Sequence, residues 1–290
     1  MSLTFEVLDQ LSLPGDAAKP NEDAFGYGGN AAGYDAQAAL VLDGATPLGD
    51  GLMPGPSDAA WIAQFGARRV LAHLRDGEGA RKALRGALAD TQKSFEALSR
   101  HPPEEMWQTP CASMMLAVAG DGAVEFLWFG DCAALVQPDG APVLVVGETF
   151  DKRAAEAERA RALAKAKNLS PAAGLSRPEF LTALRVARNR VNSGGNWLFS
   201  PDVKAAAHAA RRLVKVSPGT HLLLASDGFL ALASDYGAYS ADTLMQAAME
   251  KDLNALGEEL RAIEAGDAGG DRFPRFKKSD DATALLLRLT

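Results

Sequence analysis

Cysteine is nearly absent from this 290-residue sequence, which holds only Cys111 and Cys132. Two thiols cannot build the disulfide framework of a small secreted domain. Both lie in apolar, strand-like stretches and read as small buried residues of a reducing compartment. Histidine is also scarce, and His73, His101, His208 and His221 have no zinc-ligand spacing with one another or with a cysteine. Any metal site must therefore be built from oxygen ligands. There is no Gly-x-Ser-x-Gly elbow and no histidine near either cysteine, so serine-elbow and thiol nucleophiles are not indicated. No segment has the ~18 uninterrupted apolar residues of a membrane span. The N-terminus, Met1 to Glu6, lacks the basic start and apolar core of a signal peptide. The expectation is a cytoplasmic protein. Positive charge is in deficit, with 30 Lys+Arg against 37 Asp+Glu and a net charge of -7. That balance argues against nucleic acid or an anionic membrane as partner. It suits collection of divalent cations, and equally well simply keeps a protein soluble.

What is present is ample apolar material, 47% of the residues, enough to bury a sizeable core. Strand-like segments run over Thr4 to Leu8, Ala38 to Leu42, Ser113 to Val118, Val124 to Phe129, Ala133 to Val136, Val143 to Val146, Leu222 to Ala225 and Thr283 to Leu289. Several are continuous apolar runs, as in a sheet covered on both faces. Gly120-Asp121-Gly122 and Pro138-Asp139-Gly140 read as hairpin turns, which makes the central block an antiparallel meander. Helical pattern follows a Ser57 cap up to Arg75, and recurs at Leu84, Leu88, Thr91, Phe95 and Leu98. A second helical group spans Asp151 to about Lys215, with Pro178 and Pro201 in first turns and Ser200 as a cap, and a third covers Asp242 to Ala265. The order indicates α+β layers with helices outside sheets. Asp151 to Lys167, rich in Lys, Arg, Glu and Ala, reads as a solvated helix laced with ion pairs or as a substrate-facing flap.

The chemistry sits in four acidic motifs at strand ends: Asn21-Glu22-Asp23-Ala24, Leu42-Asp43-Gly44-Ala45-Thr46, Ala225-Ser226-Asp227-Gly228-Phe229 and Ser279-Asp280-Asp281-Ala282-Thr283. A carboxylate where a buried strand opens into a loop is rigidly aimed yet reachable. If these groups converge, repulsion and desolvation must be offset by protons or by cations. Two Mg²⁺ or Mn²⁺ ions, with hard oxygen ligands, would do so. Gly44 lets the backbone approach an ion, so its carbonyl is a further ligand candidate. Singly, each Asp-Gly reads more simply as a strand-ending turn; the set and its order carry the signal.

Taken with Phe129-Gly130-Asp131-Cys132-Ala133, the five motifs from Pro20 to Leu289 resemble in sequence and spacing those of the metal-dependent PPM (type 2C) serine/threonine protein phosphatases, bacterial type. The resemblance implies one phosphatase domain over residues 1–290, with a helical insertion or flap at about 151–215. It implies a four-layer α/β/β/α sandwich of two antiparallel sheets flanked by helices. It also implies a binuclear Mn²⁺ or Mg²⁺ centre in which Asp43 bridges both ions and Gly44 offers its carbonyl. Asp227 and Asp280 hold one ion, and Glu22 and Asp23 serve the other. Asp131 matches the position tied to a third, weaker metal. The implied activity is hydrolysis of phosphoserine and phosphothreonine in a protein, opposing a kinase, by hydroxide generated between the ions.

Three positions depart from the family. The phosphate-binding Arg before the first motif is replaced by Lys19, which supplies a point charge in place of a bidentate fork or is merely a surface lysine. The His that eukaryotic members carry after Asp-Gly is here Ala45, which leaves a metal-bound or bulk water to protonate the leaving alcohol, and a more acidic leaving group is expected to react faster. The last motif reads Asp280-Asp281, with Asp280 taken as the ligand and Asp281 as an outer residue. Arg188, Arg190, Asn192 and Gly194-Gly195 form either a substrate-touching loop or a helix C-terminus with cations at its dipole. A non-catalytic module binding a phosphorylated partner and a phosphatase of small phosphate esters remain as alternative readings. Retention of all four aspartates favours the enzyme.

Overall fold

The computed structural model describes residues 3–28, 36–138, 140–148, 178–275 and 277–290, with positions 158 and 162. The chain forms two five-stranded antiparallel sheets. One contains β1 (Phe5–Leu13), β10 (Ala282–Leu289), β9 (His221–Ala225), β6 (Ala133–Gln137) and β7 (Leu144–Val146), in that order. The other contains β2 (Asp23–Gly28), β3 (Ala38–Gly44), β4 (Ala112–Ala119), β5 (Ala123–Phe129) and β8 (Ala210–Lys215).

The continuous apolar runs follow from strands buried on both faces, where successive side chains face opposite ways. Ala39 and Val41 of β3 meet Leu222 and Leu224 of β9 and Leu285 and Leu287 of β10 in the core between the sheets. Leu40 and Leu42 turn the other way, onto Ile62, Ala63 and Val70 of α1 (Asp58–Arg75) and Leu84 and Leu88 of α2 (Ala80–Leu98). On the far side, Leu223, Ala225, Ala284 and Leu286 pack against helices α4 (Asp227–Ser234), α5 (Ala241–Glu250) and α6 (Leu253–Gly266). The result is the expected α/β/β/α sandwich. A further helix, α3 (Pro178–Arg188), follows the segment 149–177.

Several local readings change. The central meander is split: β4 and β5 pair in one sheet, β6 and β7 in the other. The chain changes sheets at Gly130, whose φ of 69° only glycine adopts easily, and where a Cβ would lie 2.1 Å from Ser113 Oγ. β2, with Gly26 and Gly28 inside it, carries little strand propensity and is fixed by its pairing to β3. Of the second helical group, residues 151–167 fall outside the described residues apart from the isolated positions 158 and 162. Its end is helical only in part: Val203–His208 is a 3₁₀ helix capped by Asp202, not Ser200, and Ala210–Lys215 is the edge strand β8. Arg211, Arg212 and Leu213 hide the strand because an edge strand with exposed faces lacks a clear apolar alternation. The third group is two helices, capped by Ser240 and Asp252. Ser57 caps α1 as expected, accepting from the Ala60 amide at 3.3 Å.

The inter-sheet core sets the distance between the two sets of loops that bear the acidic motifs. Phe126 is fully buried in that core. Phe126→Ala should lower unfolding stability by about 3–5 kcal/mol, read from urea denaturation; a change within experimental scatter would mean that this core does not set the spacing.

Candidate metal centre

The five motifs meet at one end of the sandwich. Asp23 opens β2 and Asp43 stands near the end of β3, directly opposite each other in the antiparallel register, so both side chains lie on one face. Asp43 is also opposite Ser113 on β4. Asp131 sits in the turn where the chain crosses from one sheet to the other, and Ser113 Oγ donates to its Oδ1 at 2.6 Å. Asp227 begins α4 directly after β9. Carboxylate oxygens of Asp43, Asp131 and Asp227 all lie within 4.8 Å of one another.

Asp280 and Asp281 precede β10 and do different work. Asp281 Oδ1 accepts the Gly15 amide and Oδ2 the Glu22 amide, each at 2.6 Å, tying the last motif to the first. Asp280 points into the cleft, where Lys277 Nζ donates to its Oδ1 at 2.6 Å. Arg261 donates to the Asp280 carbonyl at 2.8 Å and so holds the main chain of this motif. Glu22 is engaged by hydroxyls, with Thr46 Oγ1 donating to Oε2 and Ser57 Oγ to Oε1, both at 2.6 Å. Lys19 is exposed and lines a neighbouring groove with Glu22, Thr46, Ser57 and Arg100, outside the acidic cleft.

Gly44 and Gly228 are glycines for close packing. A Cβ at Gly44 would lie 2.3 Å from the Ala59 carbonyl oxygen, and one at Gly228 would lie 2.0 Å from that of Asp281. A Cβ at Gly44 would also lie 2.7 Å from the Glu22 carbonyl oxygen, so each glycine lets two motif-bearing segments touch.

Sequence reading overlooked Ser226. It stands at the N-cap of α4, yet its side chain makes no capping bond. Its hydroxyl donates instead to Asp23 Oδ2 at 2.7 Å and accepts from the Thr283 amide at 3.0 Å, joining three motifs in a buried position. The available signal was a serine beside Asp227 at a strand-to-helix junction. Lys277 and Arg261 carried no local signal at all.

The electrostatics of the cluster are unfavourable without counter-ions. Burial, opposed by the Ser226 hydrogen bond and aided by Asp280, Asp281 and Asp227, pushes the Asp23 carboxyl up to about 8. Asp43 is likewise raised well above the ordinary carboxylate range, by burial and then by Asp23, Asp227, Asp280 and Asp131. Asp23 Oδ1 is buried with no hydrogen-bond donor among the described residues. An unpaired buried carboxylate oxygen facing other carboxylates is a donor set that hard divalent cations satisfy. Lys277 is shifted upward: burial opposes its charge, but Asp280 outweighs it. Burial also raises both thiols, Cys111 and Cys132, which keeps them neutral and unreactive.

Residues 16–261 match the family described as Protein phosphatase 2C. This chain belongs to that family. Among solved structures it is similar to the Mycobacterium tuberculosis serine/threonine phosphatase PstP/Ppp, at 16% identity and a TM-score of 0.56, covering 99% of both chains. It is also similar to the catalytic domain of PstP in complex with two manganese ions, at 16% identity and a TM-score of 0.51, over 100% of this chain and 99% of that one. The S. agalactiae serine/threonine phosphatase shares 14% identity and a TM-score of 0.54, over 97% and 98%. Among curated proteins there is no match. At these identities the structural likeness speaks for the fold, and it agrees with the two five-stranded sheets of this 2C-family chain.

Because Asp23 and Asp43 have raised folded-state pKa values, the metal-free folded protein binds more protons than the unfolded chain between pH 4 and about 8. Stability therefore falls as pH rises through that window. Asp43→Asn removes one of the repelling charges. In EDTA it should raise Tm at pH 7.5 and give little gain at pH 4, measured by thermal denaturation; a lower Tm at pH 7.5 would refute this account of the cluster.

Proposed function

We propose that this chain is a metal-dependent phosphoprotein phosphatase that hydrolyses phosphoserine and phosphothreonine, its whole length forming one catalytic domain. The carrying observation is the convergence of Asp43, Asp131 and Asp227, from three distant stretches of sequence, to within 4.8 Å. The solved PstP catalytic domain with two manganese ions supports the reading by likeness of fold.

Asp43, Asp23, Asp227 and Asp280 would hold two Mn²⁺ or Mg²⁺ ions, with the Gly44 carbonyl beside them and Asp131 available to a third. When bound, such a pair lowers the pKa of water towards neutrality and neutralises phosphoryl oxygens, so no phosphoenzyme is needed. The chain's own residues prepare that chemistry. Ser226 orients Asp23 by a hydrogen bond to Oδ2, leaving Oδ1 for a cation. Asp281, spent on the Gly15 and Glu22 amides, fixes the main chain and leaves the cleft to Asp280. Glu22, held by Thr46 and Ser57, acts on the site through water. With Ala45 in place of an acid, and Lys277 kept charged by Asp280, the leaving alkoxide takes its proton from solvent. Substrates with more acidic leaving groups then react faster.

The physiological substrate in this reading is a phosphorylated protein and the opposing enzyme a serine/threonine kinase, in the cytoplasm. No helix among the described residues is long and apolar enough to cross a membrane.

Hydrolysis of para-nitrophenyl phosphate should require Mn²⁺ or Mg²⁺ and vanish with EDTA. A phosphothreonine peptide should be cleaved more slowly than the aryl ester. Asp43→Asn and Asp227→Asn should each reduce turnover to background while the circular dichroism spectrum is kept. Activity that survives EDTA, or either substitution, removes the proposal.

A further inference from the structure

Among the described residues, the cleft beside the carboxylates, about 220 Å³, is lined by three cationic side chains: Arg188, Arg275 and Lys277. Two of them are committed. Arg275 Nη1 pairs with Asp267 at 2.9 Å and its other nitrogens reach main-chain carbonyls. Lys277 pairs with Asp280. Arg188, in the last turn of α3, forms no ion pair among the described residues; its Nη1 donates to the Thr46 carbonyl at 2.6 Å and reaches the Ala45 carbonyl at 3.5 Å. A carbonyl orients a guanidinium without cancelling its charge, and the fork keeps further N–H groups for a second acceptor. We propose that Arg188 binds the phosphoryl group of the substrate, taking the place of the arginine that Lys19 replaces near the N-terminus. This rests on the phosphatase reading above and names the residue that recognises the phosphate at the same site.

Three observations converge on Arg188. It lines the cleft together with Asp43, Asp131 and Asp227, whereas Lys19 is exposed and lines the adjoining groove. Its bond to the Thr46 carbonyl fixes it to the loop that follows Asp43-Gly44, so its position is referred to the metal ligands themselves. One turn earlier, Arg185 Nε and Nη2 donate to the Leu48 carbonyl at 3.0 and 2.6 Å, and its guanidinium lies 4.1 Å from the Trp107 ring centre. Arg185 thereby anchors the same helix turn to the same loop but does not line the cleft. The pair separates two roles: Arg185 is spent on Leu48 and Trp107, and Arg188, fixed independently by its own bond to the Thr46 carbonyl, presents charge to the cleft. A planar fork that makes two parallel bonds to phosphate is geometrically selective, which a lysine at the same place is not.

The test uses the full chain with saturating Mg²⁺ and two probes, para-nitrophenyl phosphate as substrate and inorganic phosphate as inhibitor. Arg188→Gln should raise KM and the phosphate inhibition constant together, by roughly 10- to 100-fold as expected for loss of a charge-assisted pair. Arg188→Lys should recover only part of that loss. Mn²⁺ binding, followed by the manganese electron paramagnetic resonance signal, should stay as in the native chain. Arg185→Gln should change the phosphate inhibition constant by less than threefold. The inference is overturned if Arg188→Gln leaves both constants within twofold, if Arg185→Gln raises them as much, or if only Lys19→Ala raises them. Should the native chain lack hydrolytic activity, the phosphatase reading fails by itself. Phosphate-induced thermal stabilisation, lost in Arg188→Gln and kept in Arg185→Gln, still decides the role of Arg188.

Discussion

The site depends on a small set of hydrogen bonds that lock the loops of one sheet to those of the other. Ser226, at the end of β9, reaches across to Asp23 on β2 and also receives the Thr283 amide of β10. Asp281 does the complementary job, receiving the amides of Gly15 and Glu22. Both residues are largely withdrawn from water, where such bonds are stronger and costly to lose. The inter-sheet core sets the distance between the two sets of loops, and these bonds fix the loops, and the carboxylates they carry, to one another across it.

These bonds make a locally unfavourable arrangement persist. Asp23 and Asp43 face each other across two paired strands, and carboxylate oxygens of Asp131 and Asp227 come within 4.8 Å of that of Asp43. The raised carboxyl pKa values express the cost of gathering these charges in a partly dry place. The surrounding structure is correspondingly stiff. Gly44 and Gly228 allow main chains to touch, and α1 and α4 start directly beside the motifs that carry the carboxylates. A fold that holds like charges together in this way carries a cost that protons or cations would offset.

The layer architecture was largely legible in the sequence because burial on both faces forces continuous apolar strands, as in Ala39 to Leu42 and Leu222 to Ala225. The edge strand β8 and the glycine-bearing β2 were not legible, since their conformation comes from a neighbour's ladder and not from their own pattern. The helical reading of 210–215 failed for the same reason. The acidic residues were legible as a set because each stands at a strand end. Their order along the chain resembled that of a known family, which the match over residues 16–261 bears out.

The sequence by itself determined the carboxylates that stand at the strand ends and the two-sheet, helix-covered class, because composition and periodicity are properties of the chain alone. Only the tertiary structure decided which carboxylates face one another, that Asp281 is a tie and Asp280 faces the cleft, and that Arg188 enters the cleft while Lys19 stays outside it. Those outcomes turn on distances of a few ångströms between residues up to 266 positions apart. Such distances are set by strand register and sheet packing, which no local pattern encodes.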